Sequence, residues 1–244
     1  MNLIIDIGNT RTKLGIFGKG KLIRKGVLEK GWGVKELQNF VAKRQIENVA
    51  VSTVAGLEAD VVRFLKKNKF YLRLSAATPL PIKNAYKSPK TLGNDRLAAV
   101  IGAHYLYPRK GCLVIDAGTC ITYDFINAKG VYQGGNITPG INMRLKAMHT
   151  FTASLPLVER KKLVSPIGND TNSSILTGGQ FGTMLEMEGF IELYKAKFGP
   201  LNVILTGGDA DYFVNKMKTK IFVNSNLVLV GLNQILNYNV QYLE

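Results

Sequence analysis

The residues Asp6-Ile7-Gly8-Asn9-Thr10-Arg11-Thr12-Lys13 join one apolar run to another. A carboxylate at a strand end, followed by a glycine and hydroxyl side chains in a turn, is a combination that can hold phosphate. Gly8 is expected to supply the positive φ of a tight hairpin, so that backbone N–H groups and the polar side chains of Asn9, Thr10 and Thr12 face the phosphate oxygens. Asp6 is placed to hold a hydrated Mg²⁺ against them, because that ion takes few carboxylates and keeps several waters. Gly-Asn is also an ordinary hairpin dipeptide, and this stretch alone leaves both readings open.

A counterpart follows later in the chain. Asp116-Ala117-Gly118-Thr119 comes after Leu113-Val114-Ile115 and before Ile121-Thr122-Tyr123. Singly it reads as a turn; two copies of Asp, Gly and Thr at matching places are what a phosphate clamp with one jaw per half requires. The third stretch, Leu205-Thr206-Gly207-Gly208-Asp209-Ala210, leaves a buried-strand pattern and opens a helix. Small residues there let backbone approach a nucleobase or ribose.

These residues need elements to position them. Leu3–Ile7, Lys13–Phe17 and Lys21–Leu28 read as an antiparallel meander. Helical spacing of Val34, Leu37, Phe40 and Val41 follows, then a β-branched strand at Asn48–Thr53, a second helix around Val61, Val62 and Leu65, and a strand at Phe70–Leu74. Ala76–Lys90 is proline-bearing and aperiodic, so a connecting loop is expected. Asp95–Leu106 reads as a helix, and Cys112–Asp116, Ile121–Ile126 and Gly130–Asn136 repeat the meander. Helices at Gly140–Met148 and Ser173–Lys197, a strand at Asn202–Thr206, a short helix after Asp209 and an apolar helix at Leu229–Asn237 complete the pattern. The returning meander predicts an internal duplication with its boundary near Leu106–Gly111.

Composition narrows the class. With 244 residues, 46% hydrophobic and 20% charged, the chain can bury one large core or two small ones, which excludes disordered and fibrous classes. Apolar runs such as Asn2–Ile7 and Leu227–Leu232 fall short of the roughly 20 residues of a membrane span. No leader pattern opens the chain, and cytoplasmic residence without membrane association is expected. Cys112 and Cys120 match no zinc spacing and read as packing thiols without a disulfide. His104 and His149 lack ligand-spaced partners and read as structural. The formal charge of +15, from 32 Lys and Arg against 17 Asp and Glu, is scattered along the chain. It reads as solvated faces that attract a polyanionic nucleotide, with no dedicated nucleic-acid groove.

Together the three turns resemble those of the actin, hexokinase and sugar-kinase superfamily. That resemblance implies an α/β fold of two ribonuclease-H-like halves, residues 1–108 and 109–244, each a mixed sheet with flanking helices, around a central cleft. Further segments narrow it: Tyr86-Lys87-Ser88-Pro89-Lys90-Thr91-Leu92-Gly93-Asn94-Asp95-Arg96, then Gly134-Gly135-Asn136-Ile137-Thr138-Pro139-Gly140, then Gly168-Asn169-Asp170-Thr171 and Thr206-Gly207-Gly208-Asp209. This series is similar to that of type III pantothenate kinases and covers nearly the whole chain.

The resemblance implies phosphorylation of pantothenate by ATP in a homodimer that needs Mg²⁺ and a monovalent cation, K⁺ or NH₄⁺. Asp95 is then the general base, and Tyr86, Gly93, Asn94, Arg96 and Thr171 bind pantothenate, Thr171 near the subunit interface. Asp6 through Lys13, Thr119, Gly207 and Gly208 contact ATP. The chemistry of Asp116 alone admits Mg²⁺, whereas the resemblance gives it the monovalent cation. By default Asp95 is a helix N-terminus decorated with a carboxylate, which is common. A non-catalytic transcriptional accessory factor is the alternative from another class; such a protein need not keep both Asp6 and Asp95. A phosphohydrolase of the same superfamily would not be expected to carry Leu-Gly-x-Asp-Arg.

Overall fold

A computed structural model describes residues 1–8, 11–53, 56–162 and 165–243. In chain order it comprises β1 (Asn2–Ile7), β2 (Thr12–Gly18), β3 (Lys21–Leu28), α1 (Val34–Val41), β4 (Asn48–Thr53), α2 (Ala59–Leu65), β5 (Phe70–Arg73), β6 (Lys83–Asn84) and a 3-10 turn at Pro89–Thr91. Then come α3 (Asn94–Leu106), β7 (Cys112–Ala117), β8 (Cys120–Ile126), β9 (Val131–Pro139), α4 (Ile141–Thr150), α5 (Thr171–Phe198), β10 (Asn202–Thr206), α6 (Ala210–Val214), β11 (Phe222–Val223) and α7 (Leu227–Leu243). The sequence locates the main helices and both meanders. It misses the two-residue strands β6 and β11, too short to show a period, and ends β9 and α7 early.

The chain divides into two compact units: Met1–Arg109 with Lys129–Tyr132 and Asn226–Glu244, and Lys110–Ala128 with Gln133–Ser225. A single cut after residue 108 would leave α7 with the second unit. Instead α7 lies against α3 and the first sheet.

In the first unit the sheet order is β3-β2-β1-β4-β5. β1, β2 and β3 are antiparallel neighbours, while β1, β4 and β5 run parallel. Strand alternation sends Leu3, Ile5, Leu14, Ile16, Val49 and Val51 to one face, where they meet Leu37 and Phe40 of α1 and Val61 and Leu65 of α2. Gly15 points the other way, and a Cβ there would lie 3.4 Å from Leu229 Cδ1 of α7. α3 is buried from Arg96 to Ala103. It approaches α7 so closely that a Cβ on Gly231 would stand 1.7 Å from the Ala98 carbonyl oxygen, so only glycine permits this crossing. The α7 face also supplies Asn233 and Asn237, whose amide oxygens accept from Asn2 Nδ2 at 2.9 and 2.7 Å. Lys83 and Asn84 pair with Val131 and Tyr132 inside this unit.

The second unit places β9, β8, β7, β10 and β11 side by side in that order. β7 and β8 are antiparallel, and β7, β10 and β11 parallel. The order repeats that of the first sheet, as the returning meander predicts. Leu113, Ile115, Ile121, Tyr123, Val203 and Leu205 form a core with Leu145 of α4, Met187 and Ile191 of α5, and Phe213 of α6.

Both cysteines are free. Cys112 is buried, and burial pushes its thiol up to about 12. Cys120 is exposed, which corrects its reading as a packing thiol: it stands at the first position of β8, beside the turn, where the ladder does not enclose it. His104 is buried enough to hold its imidazole below the ordinary range. No helix among the described residues is long and apolar enough to cross a membrane.

Candidate active site

β1 and β2 put Asp6 opposite Lys13 and, on the parallel side, beside Ser52. The connecting turn closes by a bond from Gly8 N–H to the Arg11 carbonyl, 3.1 Å. Asn9 and Thr10 lie outside the described residues. Gly8 does not take the left-handed φ expected of it: the ladder closes at the Ile7–Thr12 pair, a longer connection than the two-residue hairpin that forces positive φ on its central residues. Ile7 is partly buried and Arg11 exposed, with Arg11 Nε 3.2 Å from Glu29. Thr12 is 3% exposed, and its Oγ1 accepts from Trp32 Nε1 at 2.7 Å. That bond leaves the Thr12 proton as the group to donate.

A second cluster in the same unit forms at the head of α3. Gly93 is the N-cap and Asn94 the first helical residue. Asp95 is exposed, and its Oδ1 accepts from the Arg96 N–H at 2.9 Å. The carboxylate folds back over Gly93, where a Cβ would meet it at 2.3 Å. Arg96 is 7% exposed, and its guanidinium lies 5.7 Å from the Tyr86 ring centroid, within cation–π range. Tyr86 stacks in turn on Tyr132, centroids 6.0 Å apart, and its N–H donates to Asn84 Oδ1 at 3.0 Å. Tyr86, Asp95 and Arg96, members of one sequence segment, are thus gathered at the head of α3. Tyr132 has no motif to announce it.

In the second unit, Asp116 stands opposite Thr122 and beside Thr206. Gly207 has φ of 97°, and a Cβ there would lie 2.5 Å from Asp116 Oδ1 and 2.2 Å from the Ala117 carbonyl oxygen. The Asp209 N–H donates to that same carbonyl at 2.9 Å. On the other side, Gly118 N–H bonds the Cys120 carbonyl and Gly140 N–H bonds the Thr119 carbonyl, each at 3.0 Å. A Cβ on Gly140 would stand 2.1 Å from the Gly118 oxygen. The structure therefore brings Asp116, Thr119 and Gly207 together and adds Gly140 as a close neighbour, whereas a Cβ on Gly208 would meet nothing within 4 Å. Gly140 belongs to the Gly134–Gly140 segment quoted above, but the sequence does not say which backbone it meets.

Asp209 is held by Arg160, Nη1 to Oδ1 at 2.6 Å. Arg160 lies 4.0 Å and Lys216 3.4 Å from the Tyr212 ring centroid. Desolvation, with Arg160 and Lys162 nearby, lowers the Lys216 ammonium below the usual lysine range.

Thr171 opens α5, exposed, behind the Asp170 N-cap. Asp170 Oδ1 accepts from Ser173 N–H at 2.9 Å, and these bonds hold its carboxyl below the usual carboxylate range. Farther along α5, Leu185 and Leu193 are each 65% exposed. They share a helical face with Gly178, Gly182 and Gly189, where an added Cβ would find open space.

No group of three or more His, Cys, Asp or Glu side chains suited to a metal ion gathers among the described residues. The donor set at Asp116, one carboxylate edged by backbone and by a glycine whose Cβ would fill the space, suits a hard cation held partly by carbonyls and water. Asp6, a single carboxylate at a strand end, suits Mg²⁺ held through water on the same grounds.

Two mixed sheets of one strand order, each flanked by helices, form a fold class shared with solved kinases. A glucokinase from an Antarctic psychrotroph superposes with a TM-score of 0.54 at 11% identity, covering 97% of this chain and 98% of that one. A Campylobacter jejuni structure named for the Baf family of transcriptional activators gives 0.59 at 21% identity over 98% and 99%. Within that class, the family model for type III pantothenate kinase matches residues 2–193. The type III pantothenate kinase of Bacteroides fragilis is 45% identical over 98% of each chain. That of Christiangramia forsetii is 45% identical over 98% of this chain and 99% of its own. The chain belongs to the type III pantothenate kinase family.

Proposed function

We infer that this protein transfers the γ-phosphate of ATP to the primary hydroxyl of pantothenate, giving 4′-phosphopantothenate in the first step of coenzyme A biosynthesis. The observation that carries this reading is the head of α3. There an exposed carboxylate, Asp95, adjoins a buried, aromatic-backed guanidinium, Arg96. Asp95 orients the acceptor hydroxyl and takes its proton. That role is chemically modest, because phosphoryl transfer depends mainly on positioning and charge stabilisation. Arg96 pairs with the pantothenate carboxylate; a guanidinium whose face rests on Tyr86 keeps a fixed direction, and its fork matches two carboxylate oxygens. Tyr86, Gly93, Asn94 and Thr171 complete the acceptor site.

ATP is held by Asp6, Ile7, Gly8, Asn9, Thr10, Arg11, Thr12 and Lys13, and by Thr119, Gly207 and Gly208. Asp116 holds a monovalent cation, K⁺ or NH₄⁺, and Asp6 a Mg²⁺ through water. When bound, these cations offset the charge of the phosphates. The net positive charge of the chain raises the encounter rate with a polyanionic nucleotide. The protein works in the cytoplasm as a homodimer, and the apolar face of α5 bearing Leu185 and Leu193 is the surface that supports the second copy.

A coupled assay of ADP release tests the reading. ADP should form only when pantothenate is supplied, and faster with K⁺ or NH₄⁺ than with Na⁺ alone. ATP loss at a comparable rate without any acceptor would transfer support to a phosphohydrolase.

A further inference from the structure

Glu186 stands in the interior of α5, outside every motif the sequence offers. Its Oε1 accepts from the Tyr123 hydroxyl at 3.0 Å and from Thr138 Oγ1 at 2.8 Å. Its Oε2 accepts from Arg144 Nη2 at 2.6 Å, and Arg144 Nε donates to the Pro139 carbonyl at 2.8 Å. One carboxylate thus ties β8, the end of β9 and the first turns of α4 to α5, all within the second unit. The Arg144–Glu186 pair is only 23% and 25% exposed, so it is better shielded than a surface ion pair and its charge-assisted bonds are correspondingly stronger. Burial, reinforced by the Glu186 carboxylate, raises the Tyr123 hydroxyl well above its usual range, so it remains a donor.

Between Thr138 and Arg144 lies Gly140. Its N–H bonds the Thr119 carbonyl, and it touches the Gly118 and Thr119 oxygens at distances that leave no room for a side chain. A shift of the 138–140 segment cannot be absorbed at such a contact; it moves Gly118 and Thr119 with it.

We propose that Glu186 is a positioning residue for the nucleotide turn: through Thr138, Arg144 and Pro139 it fixes Gly140, and Gly140 fixes Gly118 and Thr119. This rests on the assignment of Thr119 to ATP. Glu186→Gln keeps an oxygen for the two hydroxyl donors and removes the charge that Arg144 pairs with. Steady-state kinetics of E186Q should show KM for ATP raised about 10- to 30-fold, as small displacements of a binding group do. KM for pantothenate should stay within about twofold, the mark of a selective loss of nucleotide binding. Arg144→Gln breaks the same bridge from its other partner and should reproduce the split, with circular dichroism verifying the fold of each variant. Thr119→Ala, measured alongside, separates the two assignments. If T119A leaves KM for ATP unchanged, Thr119 is misassigned; if T119A raises it while E186Q and R144Q do not, the role of Glu186 is overturned. Equal weakening of both substrates in E186Q and R144Q would mark Glu186 as a general strut and overturn it as well.

Discussion

The two Asp-Gly-Thr turns occupy the same place in sheets of the same strand order, yet they are held in different ways. Asp6 has Lys13 and Ser52 as its ladder neighbours, and Asp116 has Thr122 and Thr206. The first turn is held by single hydrogen bonds, Gly8 N–H to the Arg11 carbonyl and the Trp32 side chain to Thr12. The second is wedged between distant backbone segments, Gly140 on one side and Gly207 on the other. A glycine inside a motif is therefore not necessarily the one whose replacement does most damage. What decides is whether another backbone occupies the space its Cβ would need.

Glycine substitutions probe that contrast most strongly. Gly140→Ala places a methyl 2.1 Å from a backbone oxygen. It should cost about 3 kcal/mol, or about 6–12 °C in Tm for a chain of this size. Trp32→Phe keeps most of the ring but leaves the buried Thr12 hydroxyl without its donor. Loss of about 1 kcal/mol, about 2–4 °C in Tm, is expected. Gly8→Ala should do least: its Cβ would lie 3.4 Å from the Arg11 oxygen at an unstrained φ, and thermal melting should move by less than about 2 °C. A G8A melt as low as that of G140A would mean that the two turns are held alike after all.

Much of this was legible in the sequence. Continuous apolar runs such as Leu3–Ile5 and Leu113–Ile115 located the first strand of each sheet, because a strand covered on both faces is apolar at successive positions. The repeated meander implied the repeated strand order. Asp116 gained meaning as the second copy of the Asp-Gly-Thr turn and Gly207 as part of a third turn, whereas Asp95, by itself an ordinary helix N-terminus, was singled out only through the resemblance to type III pantothenate kinases. What stayed hidden depended on contacts between residues far apart in the chain. Tyr132 gives no local sign that it stacks on Tyr86, and Glu186 looks like any carboxylate on a long helix. The placing of α7 with the first unit turns on Gly231 meeting Ala98, a fit that no helical period encodes. Gly8 misled for a related reason: turn length, not residue type, decides whether a positive φ is needed.

The central claim is that the carboxylate at the head of α3 acts on the acceptor alcohol, while nucleotide binding is the task of the strand-end turns. Asp95→Asn, assayed for pantothenate-dependent ADP release and, by calorimetry, for binding of a non-hydrolysable ATP analogue, tests it most directly. Turnover should fall by about 10²- to 10⁴-fold, the usual contribution of a positioned base, with nucleotide Kd within about threefold of the parent protein. Retained turnover, or nucleotide affinity lost in step with it, would contradict the account.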